Sequence, residues 1–166
     1  PKEILMTLFD AAHWAPSSLN SQPWRFLYAI HGTSDFDLFL SFLKPHNIDW
    51  CKNAGALIIV FSKKTLDNGD PNLKHSLDTG SAWENLALQA TFLGIIAHAM
   101  GGFNDEPLRR ELNIIDEYKT EIMIAVGYPG KIEDLPEPLR EREKPSGRKD
   151  LKEIVFEGKE GAINLV

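Results

Sequence analysis

The sequence contains a single cysteine, Cys51, among 166 residues, so no internal disulfide can form and a reducing compartment such as the cytoplasm is expected. Long apolar runs are missing. The longest extends only from Ala54 to Phe61, far short of the about 20 residues that span a bilayer, so no membrane partner is expected. No basic, apolar and small-residue succession of the signal-peptide type opens the chain. Positive charge is in the minority: 18 Lys plus Arg against 24 Asp plus Glu give a net charge of −6. That balance argues against a nucleic-acid partner, whose phosphates would demand a basic face. There is no Cys-x-x-Cys pair, no His-Glu-x-x-His and no EF-hand loop, and the 5 histidines lie scattered, so no metal site is signalled. Walker, Gly-x-Gly-x-x-Gly and Gly-x-Ser-x-Gly patterns are also absent, which removes the standard ATP, dinucleotide and hydrolase signatures.

What is present is an ordinary globular composition, 43% hydrophobic and 25% charged, at a length that suits one domain over residues 1–166. Ile4, Leu5, Leu8, Phe9 and Ala12 form one stripe of an amphipathic helix, which Pro16 should end. The polar, proline-bracketed segment from Pro16 to Pro23 reads as a loop, and Trp24 to Ile30 as a strand. A short helix is predicted over Asp35–Leu43 and a strand buried on both faces over Ala56–Ser62. The longest element should be a helix between Pro71 and His98. Leu86, Ala90, Leu93 and Ala97 fall at helical spacing, and Ser81-Ala82-Trp83-Glu84 matches a capping box, with a start a turn or more earlier as the alternative. Glu106–Leu112 reads as a short helix and Glu121–Gly127 as a strand, before a proline-rich, charged stretch expected to lie as an extended arm over residues 129–166. This order predicts an α+β fold with a mixed, mostly antiparallel sheet flanked by helices.

The loop after the first helix carries the functional signal. Ala15-Pro16-Ser17-Ser18-Leu19-Asn20-Ser21-Gln22-Pro23-Trp24 closely resembles the Ala-Pro-Ser-Ser-x-Asn-x-Gln-Pro-Trp segment of the nitroreductase family of flavoenzymes. Three further blocks resemble that family in the same order: Asn47-Ile48-Asp49-Trp50 with the strand that follows, Asp78-Thr79-Gly80 through Gly101-Gly102-Phe103, and Gly127-Tyr128-Pro129 with Arg148-Lys149-Asp150-Leu151. The resemblance implies a nitroreductase-like fold in an intertwined homodimer with FMN at the interface. It implies that Pro16, Ser17, Ser18 and Asn20 reach the FMN from across that interface. Asn47 would contact the pyrimidine edge of the ring, Met100, Gly101 and Gly102 would bring a backbone N–H near flavin N5, and Ser146 and Arg148 would hold the phosphate. The implied activity passes electrons from NAD(P)H through flavin N5 to a small electron-poor acceptor, a nitroaromatic or quinone, in ping-pong order. No catalytic side chain is then expected, because the cofactor carries the chemistry.

These residue types suit a flavin, whose planar ring has one polar edge and whose phosphate carries about −1.5 to −2 charge. Short Ser and Asn side chains and bare glycine amides supply donors and acceptors at close range, and an arginine fork fits two phosphate oxygens. Two departures from the family pattern stand out. An Arg-x-Ser-x-Arg arm that would precede the first helix is not in the sequence, which opens at Pro1-Lys2-Glu3, and Trp50 occupies a place where some members have lysine. Trp50 bears on the reduction potential, whereas the arm, together with Ser146 standing where many members carry a second cation, leaves open a flavin-binding or cofactor-free dimeric module of the same fold. Taken alone, Gly101-Gly102 also reads as a helix stop and Asn47 as a turn residue. His98 reads as a cation at a helix C-terminus, Cys51 as an inert core thiol, and Trp24, Trp50 and Trp83 as core or interface residues.

Overall fold

The computed structural model of the protein describes residues 1–135 and 137–161. It divides into two compact units, Pro1–Lys131 and Ile132–Val166. The first unit contains helices α1 (Lys2–His13), α2 (Ser34–Phe42), α3 (Pro45–Cys51), α4 (His75–Phe92) and α5 (Asp105–Glu111). Its strands are β1 (Trp24–Ile30), β2 (Ala56–Lys63), β3 (Ile96–Met100) and β4 (Tyr118–Gly127). The strands form one antiparallel sheet in the order β1-β2-β4-β3, with Tyr28 opposite Ile58, Ile58 opposite Ile124, and Ala99 opposite Ile124. This is the α+β fold expected of the sequence.

The sheet separates two cores, and the period-2 alternation of the central strands assigns each side chain to one of them. Ile58, Val60, Ile124 and Val126 face α1 and α4 through Leu5, Leu8, Ala82 and Leu86. Leu57, Ile59, Phe61 and Met123 face α2 and α5 through Phe36, Phe39, Phe42 and Leu108. Apolar side chains therefore alternate between two covered faces, which is why β2 reads as a continuous hydrophobic run. α2 starts where the Thr33 hydroxyl accepts the Phe36 N–H at 3.2 Å.

Several expectations need correction. α4 ends at Phe92 and does not run on to His98, because Gly94 turns into the left-handed region at φ 69° and stops the helix. Ala97 and His98 lie instead in the edge strand β3, so His98 is not a cation at a helix terminus, and Gly101-Gly102 ends a strand rather than a helix. The helix begins at His75, the earlier of the two starts the sequence allowed, so the Ser81–Glu84 capping pattern lies inside it and the Ser81 hydroxyl donates to the Leu77 carbonyl. Asn47 is not in a turn either. With Pro45 at the first helical position, residues 45–51 close into α3.

In the second unit, α6 (Glu137–Arg140) and α7 (Gly158–Gly161) are single turns. Between them Asp150 and Glu153 cap a one-turn segment reciprocally, Asp150 accepting the Lys152 N–H and Glu153 accepting the Asp150 N–H.

Candidate functional site

The loop between α1 and β1 is held open by its backbone. Ser17 is extended, tight-turn bonds run from the Asn20 N–H to the Ser17 carbonyl and from the Ser21 N–H to the Ser18 carbonyl, and Leu19, Asn20 and Gln22 take φ of 54°, 53° and 44°. Non-glycine residues in the left-handed region cost about 1–3 kcal/mol each, so surrounding bonds must impose the conformation. Those bonds are present. The Ser17 Oγ accepts the Gln22 N–H at 3.0 Å, the Gln22 side chain donates to the Asn20 carbonyl at 3.1 Å, and the Asn72 amide donates to the Ser21 hydroxyl at 3.2 Å. The Ser18 N–H reaches across to Asp78 Oδ2 in the first turn of α4, at 3.0 Å. As a result Pro16, Ser18 and Asn20 present their side chains to the outside.

A second constellation forms where α3 meets the end of β3. Asn47, buried on α3, donates its side-chain N–H to the Gly102 carbonyl at 2.9 Å, and the Lys44 N–H donates to the same oxygen at 2.9 Å. The Lys44 ammonium also bonds Asn104 beyond the turn. Met100 points its side chain into the core, so only its backbone faces outward chemistry. Gly101 is exposed, and a Cβ built on it meets nothing within 4 Å, whereas a Cβ on Gly102 would stand 2.7 Å from Asn47 Nδ2 and 3.1 Å from His46 Nε2. The two glycines thus do different work. Gly102 makes room for the polar side chains of α3, and Gly101 leaves bare backbone open to a ligand.

The structure brings Asn47 and Gly102 together and places the Ser17–Asn20 loop elsewhere, at the start of the opposite edge strand. β1 and β3 are separated by three strand spacings, about 14 Å. In the second unit, Arg148 and Ser146 are brought together: Arg148 Nη1 donates to the Ser146 hydroxyl at 3.0 Å and to the carbonyls of Ser146 and Gly147 at 3.2 Å. Three residues near these sites carried no sequence signal of their role. Asp78 and Ser18 are far apart in sequence, His46 packs on Gly102, and the His98 ring meets Trp50 edge-on at 4.7 Å. Only the quoted blocks around them could have drawn attention to these positions. The thiol of Cys51 is buried and pushed up to about 11 by desolvation, which makes it a poor nucleophile. No cluster of three or more potential metal ligands occurs among the described residues.

A half-buried polar network fixes the first turn of α4 to the sheet. Glu121 Oε1 accepts the hydroxyls of Ser62 and Ser76 at 2.6 Å each, and Glu121 Oε2 pairs with Lys119 at 2.9 Å. Having donated its proton, Ser62 can accept from His75 Nδ1 at 2.7 Å. Burial pushes the Glu121 carboxyl up, but the hydrogen bonds from Ser62, Ser76 and Lys119, with the Lys119 charge, outweigh it and hold the group below its ordinary 4.5. A carboxyl depressed in the folded state stabilises the fold above its unfolded value, and that contribution is lost as pH falls through the folded one. The urea midpoint of the wild type should therefore drop below about pH 4.5 more steeply than that of Glu121→Gln. Equal slopes in the two proteins would remove Glu121 from the acid transition.

Comparison with known proteins shows what the chain as a whole is similar to. The model of the nitroreductase family matches residues 1–34. A protein of Rhodopseudomonas palustris (strain TIE-1), provisionally named NADH dehydrogenase/NAD(P)H nitroreductase, is 28% identical over 145 residues, covering 76% of this chain and 74% of its own. The crystal structure of an oxidoreductase containing FMN is 44% identical and superposes with a TM-score of 0.92 over 96% of this chain and 82% of that one. A provisionally named nitroreductase from Desulfovibrio desulfuricans, solved in complex with FMN, shares the fold at 24% identity and a TM-score of 0.75, covering 96% of this chain and 86% of that one.

Proposed function

This chain belongs to the nitroreductase family, and on that premise we propose that it is an FMN-dependent oxidoreductase that couples NAD(P)H oxidation to reduction of a small electron-poor acceptor, such as a nitroaromatic or quinone. The observation that carries the reading is the pairing of Asn47 with Gly102 beside the open backbone of Gly101. This places a fixed amide and side-chain-free backbone next to each other, which suits the polar edge of a planar ring. When bound, FMN supplies hydride acceptance and donation at N5. The protein's own residues bind and orient it. Asn47 and the Met100-Gly101-Gly102 backbone meet the ring edge, Pro16, Ser17, Ser18 and Asn20 line it from a second copy, and Ser146 and Arg148 take the phosphate. With hydride chemistry supplied by the cofactor, no protein acid–base pair is needed.

Two observations support a homodimer with the cofactor at its interface. The Ser17–Asn20 loop and the Gly101–Gly102 turn sit at opposite sheet edges, so a second copy is the economical way to bring both to one ring. Leu73, Leu77, Leu88 and Phe92, before and along α4, are between 59% and 87% exposed, an apolar face that a partner helix would cover. The exposed loop residues are then contributed to the partner's flavin.

The reading is tested by the visible absorption spectrum of the purified protein, before and after addition of FMN and desalting. A retained flavin band that bleaches on addition of NAD(P)H is the expected result. A colourless protein that also fails to hold added FMN would leave only a cofactor-free dimeric module. Replacing Asn20 by leucine removes one exposed polar contact and should weaken FMN binding about tenfold, read by flavin fluorescence. Unchanged affinity would take Asn20 out of the cofactor site.

A further inference from the structure

We infer that Asp78 is a positioning residue that holds the Ser17–Asn20 loop in its flavin-binding shape from inside α4, a role that rests on the proposed FMN site. The loop carries three of the four non-glycine residues with positive φ among those described, which is a conformation it would not keep unaided. Most of the bonds that sustain it are short-range: Ser17 with Gln22, and Gln22 with Asn20. These shape the turn but do not fix where it stands. Among the described residues, the segment 17–21 is tied to the rest of the molecule by two side-chain bonds, Ser21 to Asn72 and the Ser18 N–H to Asp78 Oδ2.

Only the second is made by a carboxylate, and hydrogen bonds to charged groups are roughly twice as strong as neutral ones. The Asp78 side chain is buried while Ser18 is exposed, so an interior anchor fixes a surface residue. The anchor's own base is rigid. Asp78 lies in the first turn of α4, whose preceding residues Ser76 and His75 are tied to Glu121 and Ser62 on the sheet. Asp78 also donates its backbone N–H to the Lys74 carbonyl at 2.9 Å, as a helical residue should. The helix that exposes the apolar face thereby also sets the loop, so the interface and the cofactor contacts are built on one element.

The test measures FMN dissociation constants by flavin fluorescence, with far-UV circular dichroism to establish that each variant is folded. Asp78→Ala should weaken FMN binding by roughly tenfold or more, the size of one lost hydrogen bond to a charged group. Asp78→Asn keeps an acceptor oxygen without the charge and should restore part of that affinity. The bond can also be removed from its other end. Ser17 is already extended at φ −146° and ψ 153°, the conformation proline favours in the residue before it, so Ser18→Pro deletes the donor without forcing Ser17 out of its conformation. Ser18→Pro should bind FMN at least tenfold more weakly than Ser18→Ala, and Asp78→Ala combined with Ser18→Pro should be no weaker than Ser18→Pro alone.

An Asp78→Ala protein that binds FMN like the wild type overturns the assignment. So does an Asp78→Asn variant as weak as the alanine, or additive losses in the double variant. If Asp78→Ala does not fold, the comparison of Ser18→Pro with Ser18→Ala decides alone, and equal affinities overturn the assignment. A wild type that binds no FMN overturns this role together with the proposed function, whereas a wild type that binds FMN beside an indifferent Asp78→Ala overturns this role only.

Discussion

Gly102→Ala will lower both the stability of the protein and its affinity for FMN, whereas Gly101→Ala will lower the affinity alone. A methyl group on Gly102 would stand 2.7 Å from the Asn47 amide nitrogen, closer than real Cβ contacts come, and 3.1 Å from His46 Nε2, tighter than most. Neither glycine has a backbone angle that excludes alanine, so contact rather than strain decides the outcome. Asn47 must swing away and lose its bond to the Gly102 carbonyl. A buried amide left without its partner costs about 1–3 kcal/mol, and the displaced side chain is the one proposed to meet the flavin edge. The FMN dissociation constant should rise tenfold or more in fluorescence titrations, with a lower melting temperature for the cofactor-free protein. At Gly101 the added methyl meets nothing within 4 Å, so the cofactor-free protein should melt within about 0.5 kcal/mol of the wild type. Weaker FMN binding by Gly101→Ala then reports close approach of the ligand to that backbone. Wild-type affinity in Gly101→Ala would place the flavin somewhere else.

Phe36→Ala will be among the most destabilising single changes in the chain. Phe36 is 2% exposed and heads the fully buried side chains by volume. It sits in the core with Phe39, Phe42, Leu57 and Ile59, and its ring meets His31 at 5.0 Å in an edge-on arrangement. Truncating a buried phenylalanine to alanine removes transferred apolar area and leaves a cavity, together about 3–5 kcal/mol. Against a total stability of about 5–15 kcal/mol this should lower the urea midpoint by about 2 M. The loss also bears on the candidate site, because α2 leads through Leu43 and Lys44 into α3, which carries Asn47. Flavin affinity should therefore recover in Phe36→Leu along with the midpoint. A variant that loses less than about 1 kcal/mol would show that this core repacks around the gap.

Much of the fold was legible because its signals are local. The stripe of α1, the stop at Pro16, the buried run of β2 and the β-prone segment from Trp24 each depend on residues a few positions apart, and the structure places each element within a residue or a few of its expected limits. The boundary between α4 and β3 was not legible. Leu93 and Ala97 continue the spacing of Leu86 and Ala90, and only the left-handed turn at Gly94 and the pairing of β3 with β4 break it. An edge strand five residues long has too few positions for its own periodicity to outweigh a helix before it. α3 was hidden for a similar reason: at seven residues it is stabilised by docking on the α2–α5 core through Ile48, Trp50 and Cys51 rather than by propensity.

The same division holds at the candidate site. By itself the sequence determined the chemical inventory: short polar side chains bracketed by prolines at 16–23, an asparagine at 47, paired glycines at 101 and 102, and Ser146 with Arg148. These are choices of residue type, and type is written at each position independently of what stands elsewhere. Only the tertiary structure decided which of them meet. Packing of α3 against the end of β3 places Asn47 on Gly102, and packing of α4 on the sheet brings Asp78 under Ser18. Such pairings depend on how strands order and helices dock, which is set by burial of apolar faces distributed over the whole chain, and no local pattern around either partner records them.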